Sequence, residues 1–478
     1  MLLMKIADFR FFKEAKGITN NSNYVKKDYV FCAYPGKKFD GAKFAKAAIE
    51  KGAKFILIEA GKEIKLLQKN YPKINIIAFK NIASNQKKIL DSFYGNLNQK
   101  IKLIGITGTN GKTSTGFWLD FLINKHIQPS KLIGTISKEK NIQNTTPDLF
   151  VLYDLFHKKM NKIKNFVLEV SSHGIDQQRI KGLNFEYGIF TNLSRDHLDY
   201  HKTMANYFSV KERFFLENVK NYSIINVDDK YGARLCKNLK TLSKKVLTFG
   251  YSKHADIKII NNSKSLKSKS KTEFELEIKN KRYQFETNII GKFNILNLVG
   301  AIAVCHLKKV SMSTLIKTVK KLPIPEGRLE MFNKKINNIN KKIFIDYAHT
   351  PDGLKNVLET IKSNYKKKIT LVFGCGGDRD MGKRKLMGQV SNKYAHSVFI
   401  TSDNPRSEDP MSIAQQISNH VTIDKKIILD RKKAIEEALK QSSSEVILIA
   451  GKGHENYQIL KDKTIFFSDK DVVKGFKG

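Results

Sequence analysis

Residues 105–114 read GITGTNGKTS. They follow the apolar run IKLI and precede TGFWLDFLI, whose bulky side chains return at helical spacing, so the local order is strand, glycine loop, helix. Such a junction is an anion cradle: backbone N–H groups converge at a helix start whose dipole adds partial positive charge. Gly108, Thr109, Asn110, Gly111, Lys112, Thr113 and Ser114 form the candidate nucleotide loop, with Lys112 reaching terminal phosphates and Thr113 ligating magnesium. The common phosphate-loop pattern wants a glycine five residues before Gly111. Ile106 stands there, and the nearby glycines fall at 105 and 108, so the loop is a variant. A tight turn closing a βα unit is the plainer alternative; Gly-Lys-Thr between strand and helix favours phosphate.

Outward from this loop the strand-loop-helix pattern repeats. NFVLEV, YGIF and YSIINV read as short strands with polar loops after them, which predicts a doubly wound central domain over 99–327. Residues 1–98 read as a small mixed α/β domain, in which YVFCAYPGKKFDGAKFAKAAIEKGAKFILIEA gives strand, Pro-Gly turn, helix and strand. Within the central domain NNSKSLKSKSK (261–271) is a polar surface insertion, and FELEIKNKRYQFE alternates around a Lys-Asn-Lys turn as a hairpin does. Prolines and a glycine in LPIPEGRLE (322–330) mark a hinge. Beyond it KKIFID, KITLVFG, SVFIT, KKIILD and EVILIAG recur between helical stretches, predicting a third, Rossmann-like α/β domain over 328–478 with a parallel sheet.

The 478 residues carry a formal charge of +41. That balance raises nucleic acid as a partner. The lysines, however, are spread over every segment without an aromatic-interleaved stripe, which reads as compositional bias and no nucleic-acid footprint. The four cysteines, at 32, 236, 305 and 375, have neither disulfide-framework nor metal-site spacing and fit a reducing cytoplasm. No apolar run is long enough for a signal peptide or a membrane span.

In an open parallel sheet, ligands gather at the carboxyl ends of strands. One such end carries Glu169, Ser171, His173, Gln177 and Arg179; the next carries Asn192, Asp196, His197 and Asp199. A lone strand-end His or Glu is usually a cap or surface residue, but two clusters beside a phosphate loop point to a metal-phosphate site.

The form GTNGKTS resembles the ATP loop of the Mur ligases and the folylpolyglutamate synthetases, which are ATP-dependent acid–amino acid ligases. NTTPD, EVSSHG, TNLSRDHLDYH, DYAHTPDGL, GCGGDRDMGKR, DNPR and GKGHE then follow in order, and the resemblance to the Mur ligase family runs over the whole chain. A folylpolyglutamate synthetase needs neither TTPD nor DNPR; a basic nucleic-acid-binding ATPase rests on charge alone. The resemblance implies an acyl phosphate formed from ATP, with Mg2+ held by Thr113, Glu169, His197 and a carbamylated Lys211. It places Asn294 and Asn297 near the nucleotide, although Asn294 equally suits a helix cap. Arg328, Asp346, Tyr347 and His349 fall on the nucleotide side of the third domain.

Within the family the motifs are similar to the branch that adds meso-diaminopimelate to UDP-N-acetylmuramoyl-L-alanyl-D-glutamate, implying a monomeric cytoplasmic enzyme of peptidoglycan synthesis. Thr145, Thr146, Ser171, Gln177 and Arg179 would grip the muramoyl dipeptide. Where relatives carry Asp-Ser-Arg for the uridine diphosphate, this chain has Asn21, Ser22 and Asn23, so Ser22 alone matches. Arg379, Asp403, Asn404, Arg406, Gly451 and Glu455 would form the amino-acid pocket. Only 11 of the 86 basic residues are arginine, and six of those (179, 195, 328, 379, 384 and 406) lie in the motifs. A flat two-pronged donor such as Arg406 suits a carboxylate and repels a terminal ammonium, which separates diaminopimelate from lysine.

Overall fold

The computed structural model describes residues 10–36, 40–59, 63–137, 139, 144–260, 271–440 and 445–477. Its contacts group the chain into two compact units: 1–105 with 123–187 and 216–221, and 106–122 with 188–215 and 222–478.

The first unit opens with four parallel strands in sequence order, β1 (Gly17–Thr19), β2 (Tyr29–Ala33), β3 (Ala53–Ile58) and β4 (Asn75–Ala78). Phe31, Ile56 and Ile58 on these strands pack with Ala45 and Ala48 of helix Ala45–Glu50 and Ile64 of helix Glu63–Asn70. Strands and helices alternate there, while part of the Pro-Gly turn falls at 37–39, outside the described residues.

Nine strands follow in the central sheet: β5 (Lys102–Thr107), β6 (Ser130–Ile133), β7 (Asn165–Glu169), β8 (Phe185–Phe190), β9 (Val219–Asn226), β10 (Lys245–Gly250), β11 (Ile257–Ile260), β12 (Thr272–Ile278) and β13 (Lys281–Thr287). Their order is β13-β12-β11-β10-β9-β8-β5-β7-β6. The apolar runs are strands because they are short, buried and rich in branched side chains, as in β5 and β7. The expected hairpin is β12–β13, antiparallel, with Lys279 and Asn280 both at positive φ as a two-residue turn requires. Most of the polar insertion, 261–270, lies outside the described residues.

In the second unit the last sheet contains β14 (Glu330–Ile336), β15 (Ile339–Asp346), β16 (Ile369–Phe373), β17 (Ser397–Ile400), β18 (Asp424–Ile427) and β19 (Val446–Ala450), ordered β14-β15-β19-β16-β17-β18. All pair in parallel except the edge strand β14. Leu354, Met387 and Ile413 cover one face; Ala434, Ile435 and Val473 cover the other. Helices on both faces leave the strand ends as the open edge where loops can meet a ligand. A small hairpin, β20 (Tyr457–Ile459) with β21 (Thr464–Phe466), stands outside this sheet. All four cysteines are buried and unbridged. Among the described residues no helix is long and apolar enough to cross a membrane.

Candidate active site

The phosphate loop leaves β5 and enters helix Lys112–His126. Gly108 (φ +153°) and Gly111 (φ +86°) are required there: a Cβ would stand 1.9 Å from Thr191 Oγ1 at the first and 2.2 Å from Asn297 Oδ1 at the second. Asn110 N–H donates to Asn192 Oδ1 at 3.0 Å, and Thr109 Oγ1 lies 3.2 Å from Tyr207 Oη. Lys112 Nζ donates back to the carbonyls of Gly108 (3.0 Å) and Thr109 (2.9 Å). Thr113 and Ser114 are buried, and Thr113 Oγ1 accepts from Arg328 Nη2 at 3.0 Å. Asn294 and Asn297 are buried in helix Lys292–Leu307, so both share this unit with the loop. The cap reading of Asn294 is corrected. Gly291 is the N-cap, and Asn294, already inside the helix, spends its amide on the Ile290 carbonyl at 3.1 Å.

Lys211 is buried beside this loop, its Nζ 3.0 Å from the Gly108 carbonyl and 3.3 Å from Thr107 Oγ1. Burial, with Lys112 nearby, holds its ammonium well below the ordinary lysine range. Asp196 gathers three basic groups: His197 Nε2 at 3.3 Å, His349 Nε2 at 3.6 Å and Lys383 Nζ at 4.0 Å. Burial opposes its charge, but His197, Lys383 and His349 win and hold its carboxyl well below the usual range. His349 Nδ1–H donates to the Tyr347 carbonyl at 2.8 Å. Asp346, at the end of β15, accepts from the N–H groups of Leu329 and Ala348, both at 2.7 Å, yet burial pushes it up to about 6.

The open ends of β16, β17 and β19 bring together the residues expected to form the amino-acid pocket. Arg406 has φ +54° and is half-buried; its Nη1 donates to the carbonyls of Gly377 (2.7 Å) and Asn404 (3.3 Å). Its Nε and Nη2 have no protein acceptor among the described residues, so one edge of the guanidinium fork is open. Burial and then Arg379 hold it below its ordinary value. Gly376 makes room, since a Cβ there would come 2.8 Å from Arg406 Nη1. Asp403 is buried and its carboxylate has no hydrogen-bond donor among the described residues; Gly451 (φ +113°) faces it, a Cβ falling 2.7 Å from Oδ2. Asn404 Nδ2 donates to Glu455 Oε2 at 3.1 Å. Arg379 is exposed at the rim. The helix that follows this loop begins at Pro410, capped by Asp409.

In the first unit Glu169 ends β7 fully buried, its Oε1 accepting from Thr135 N–H (2.9 Å) and its Oε2 from Thr135 Oγ1 (3.1 Å). Thr146 Oγ1 donates to the Glu169 carbonyl (2.8 Å) and accepts from Ser171 N–H (2.8 Å). Arg179 reaches the Thr146 carbonyl (2.9 Å) and Gln177 Oε1 (2.6 Å), and Thr145 Oγ1 lies 3.4 Å from Thr135 Oγ1. These residues form one polar shelf. Ser22 lines a separate cavity of about 500 Å3 with Asn21, Asn23, Tyr34 and Asp148, whose carboxyl burial pushes up.

Among the described residues no three His, Cys, Asp or Glu side chains form a ready metal cluster. Magnesium takes much of its shell from water and phosphate, so within the second unit the buried Thr113 hydroxyl and the His197 imidazole are fitting donors.

The sequence pattern of the Mur ligase middle domain matches residues 106–305, that of the Mur ligase glutamate ligase domain 327–453, and that of the Mur ligase family catalytic domain 14–92. The chain belongs to the Mur ligase family. It is accordingly an ATP-dependent ligase. It is 38% identical over 469 residues to the UDP-N-acetylmuramoyl-L-alanyl-D-glutamate–2,6-diaminopimelate ligase of Clostridium tetani, covering 96% of this chain and 94% of the relative. The enzyme of the same name from Aquifex aeolicus is 38% identical over 479 residues, covering 98% and 94%. A solved structure of a ligase with that name matches with a TM-score of 0.63 at 30% identity, covering 96% and 94%. The MurF ligase of Thermotoga maritima in complex with ADP shares the fold, with a TM-score of 0.65 at 18% identity, covering 92% and 94%.

Several Mur ligase residues of this site carried no separate signal in the sequence. Lys383 and Lys452 sit inside GCGGDRDMGKR and GKGHE but are lost among a lysine-rich background. Thr135, which holds Glu169, lies in no motif. Asp380, which takes Arg195 bidentately at 2.9 and 3.0 Å, was legible only as part of a motif.

Proposed function

We propose that this ligase adds meso-diaminopimelate to UDP-N-acetylmuramoyl-L-alanyl-D-glutamate, as a monomer in cytoplasmic peptidoglycan precursor synthesis. The observation that carries the reading is the open edge of Arg406 beside the undonated Asp403 carboxylate: a guanidinium fork for a distal carboxylate, a carboxylate for the distal ammonium. The relatives' names support it. On this reading 1–98 holds the uridine diphosphate, through Ser22; 99–327 holds ATP; and 328–478 holds the amino acid.

A carboxylate is a poor acyl donor because its leaving group is bad. The D-glutamyl carboxylate therefore attacks the γ-phosphorus of ATP, forming an acyl phosphate and releasing ADP. The amine of diaminopimelate attacks that carbonyl, a tetrahedral intermediate forms and loses a proton, and phosphate leaves. Lys112, freed from its own loop carbonyls, balances charge on the transferring group. Bound Mg2+ neutralises phosphate charge; Thr113 and His197 would hold it, as would Glu169 on family resemblance. Lys211, a buried amine held toward its neutral form, can attack CO2 with loss of a proton to give the carbamate that supplies a further oxygen ligand. Thr145, Thr146, Ser171, Gln177 and Arg179 position the muramoyl dipeptide.

The test is phosphate release with ATP, Mg2+ and the muramoyl dipeptide, comparing meso-diaminopimelate with L-lysine, before and after Arg406→Ala. The expected result is a strong preference for diaminopimelate that the substitution largely erases. Equal use of lysine by the wild type would sink the assignment.

A further inference from the structure

Lys452 follows β19 and Gly451, and none of its side chain meets solvent. A buried ammonium is costly unless acceptors surround it. Here Nζ donates to Glu455 Oε2 at 3.1 Å and to Asn404 Oδ1 at 3.2 Å. Asn404 closes the ring, its Nδ2 donating to the same Glu455 oxygen at 3.1 Å while Oδ1 also accepts from Ile459 N–H at 2.9 Å. One oxygen of Glu455 is thus taken by two protein donors. The other accepts from the Tyr347 hydroxyl at 3.3 Å, a long and neutral contact.

The consequence is a matter of charge. Asp403 and Glu455 are the pocket's two carboxylates, and Lys452 commits much of one of them to the protein. What is left open is one carboxylate, Asp403, against the fork of Arg406. A ligand end with one ammonium and one carboxylate matches that balance; an end with an ammonium alone meets a surplus of positive charge. We propose that Lys452 is a positioning residue that sets amino-acid specificity, by committing Glu455 to the protein so that the pocket accepts a zwitterionic side-chain end and refuses a purely cationic one. This rests on reading the pocket as the diaminopimelate site.

The experiment measures kcat/KM by phosphate release for meso-diaminopimelate and for L-lysine in wild type, Lys452→Met and Lys452→Arg. Freeing Glu455 should lower KM for L-lysine, so that the diaminopimelate-to-lysine ratio falls about tenfold in Lys452→Met, the size of one charge-assisted contact. Lys452→Arg should keep the ratio. A folded Lys452→Met enzyme with the wild-type ratio, even at lower overall rate, overturns the proposal and leaves the pocket reading standing. A wild type with no preference overturns both. The double variant Lys452→Met/Glu455→Gln removes the buried pair together and should keep the wild-type ratio, so a collapse of the ratio there also overturns the proposal should the single variant fold poorly.

Discussion

Arg328 Nη2 donates to the Thr113 hydroxyl at 3.0 Å, while its guanidinium lies 4.5 Å from the centre of the Tyr347 ring. A residue of the LPIPEGRLE stretch therefore touches the first turn of helix Lys112–His126. On the proposed function, magnesium would claim the Thr113 hydroxyl and Arg328 would turn to a phosphate. Arg328→Ala is expected to lower kcat by about 10²-fold, the usual loss for a donor that meets developing charge. Thr113→Ala should raise the Mg2+ concentration needed for half-maximal phosphate release. An Arg328→Ala enzyme as fast as wild type would remove this arginine from the chemistry.

Lys211 has a poor environment for an ammonium, buried and near Lys112. The enzyme supplied with 13C-labelled bicarbonate should show a carbamate carbon resonance that Lys211→Arg lacks. Lys211→Ala should lose about 10²-fold in rate, the scale of a lost metal-orienting group, and regain part of it with added acetate. A labelled wild type without the resonance, fully active, rules the modification out.

Arg431 and Asp469 are both wholly buried and joined by Nε–Oδ1 at 2.7 Å and Nη2–Oδ2 at 2.8 Å; the same Nη2 also reaches the Ala450 carbonyl at 3.1 Å. Removing one partner strands a charge, so Asp469→Ala should cost about 3–5 kcal/mol in denaturant unfolding. Replacing both by apolar residues of similar volume should cost far less. Equal losses for the single and double variants would show that packing, not charge, governs the site.

His454 is held down to about 3, by burial first and then by Arg328. In the unfolded chain the same imidazole binds a proton near 6.5, so below that pH the unfolded state binds more protons and stability falls with falling pH. The loss should run from about pH 6.5 toward 3, and the folded state stops resisting only near the lower value. Asp346, raised to about 6, works the other way between that pH and its ordinary value near 3.8. Melting temperature followed from pH 7 to 4 should therefore drop less steeply in His454→Gln than in wild type. Parallel curves would mean that His454 takes up its proton without resistance.

The fold was legible wherever the chain's signals were local. The strand-loop-helix reading around Gly108 and Gly111 stood because only glycine fits their backbone and the space beside Thr191 and Asn297. The β12–β13 hairpin was readable from the alternation on either side of Lys279 and Asn280, which turn the chain at positive φ. In sequence Asn294 suits nucleotide contact and helix cap alike, because an asparagine near a helix start fits either place; the structure gives the cap to Gly291. The motif arginines stood out against lysine; Lys383 and Lys452 did not.

By itself, the order of residues determined the alternation of strands and helices, the phosphate loop and the set of polar groups at strand ends, because each depends on neighbours a few positions away. Tertiary structure alone decided that Asp196 collects His197, His349 and Lys383, and that Lys452 is buried against Glu455 and Asn404 while most other lysines stay in water. Those pairings join segments as much as 187 residues apart, and a charge gains its meaning only from burial and from the groups packed against it.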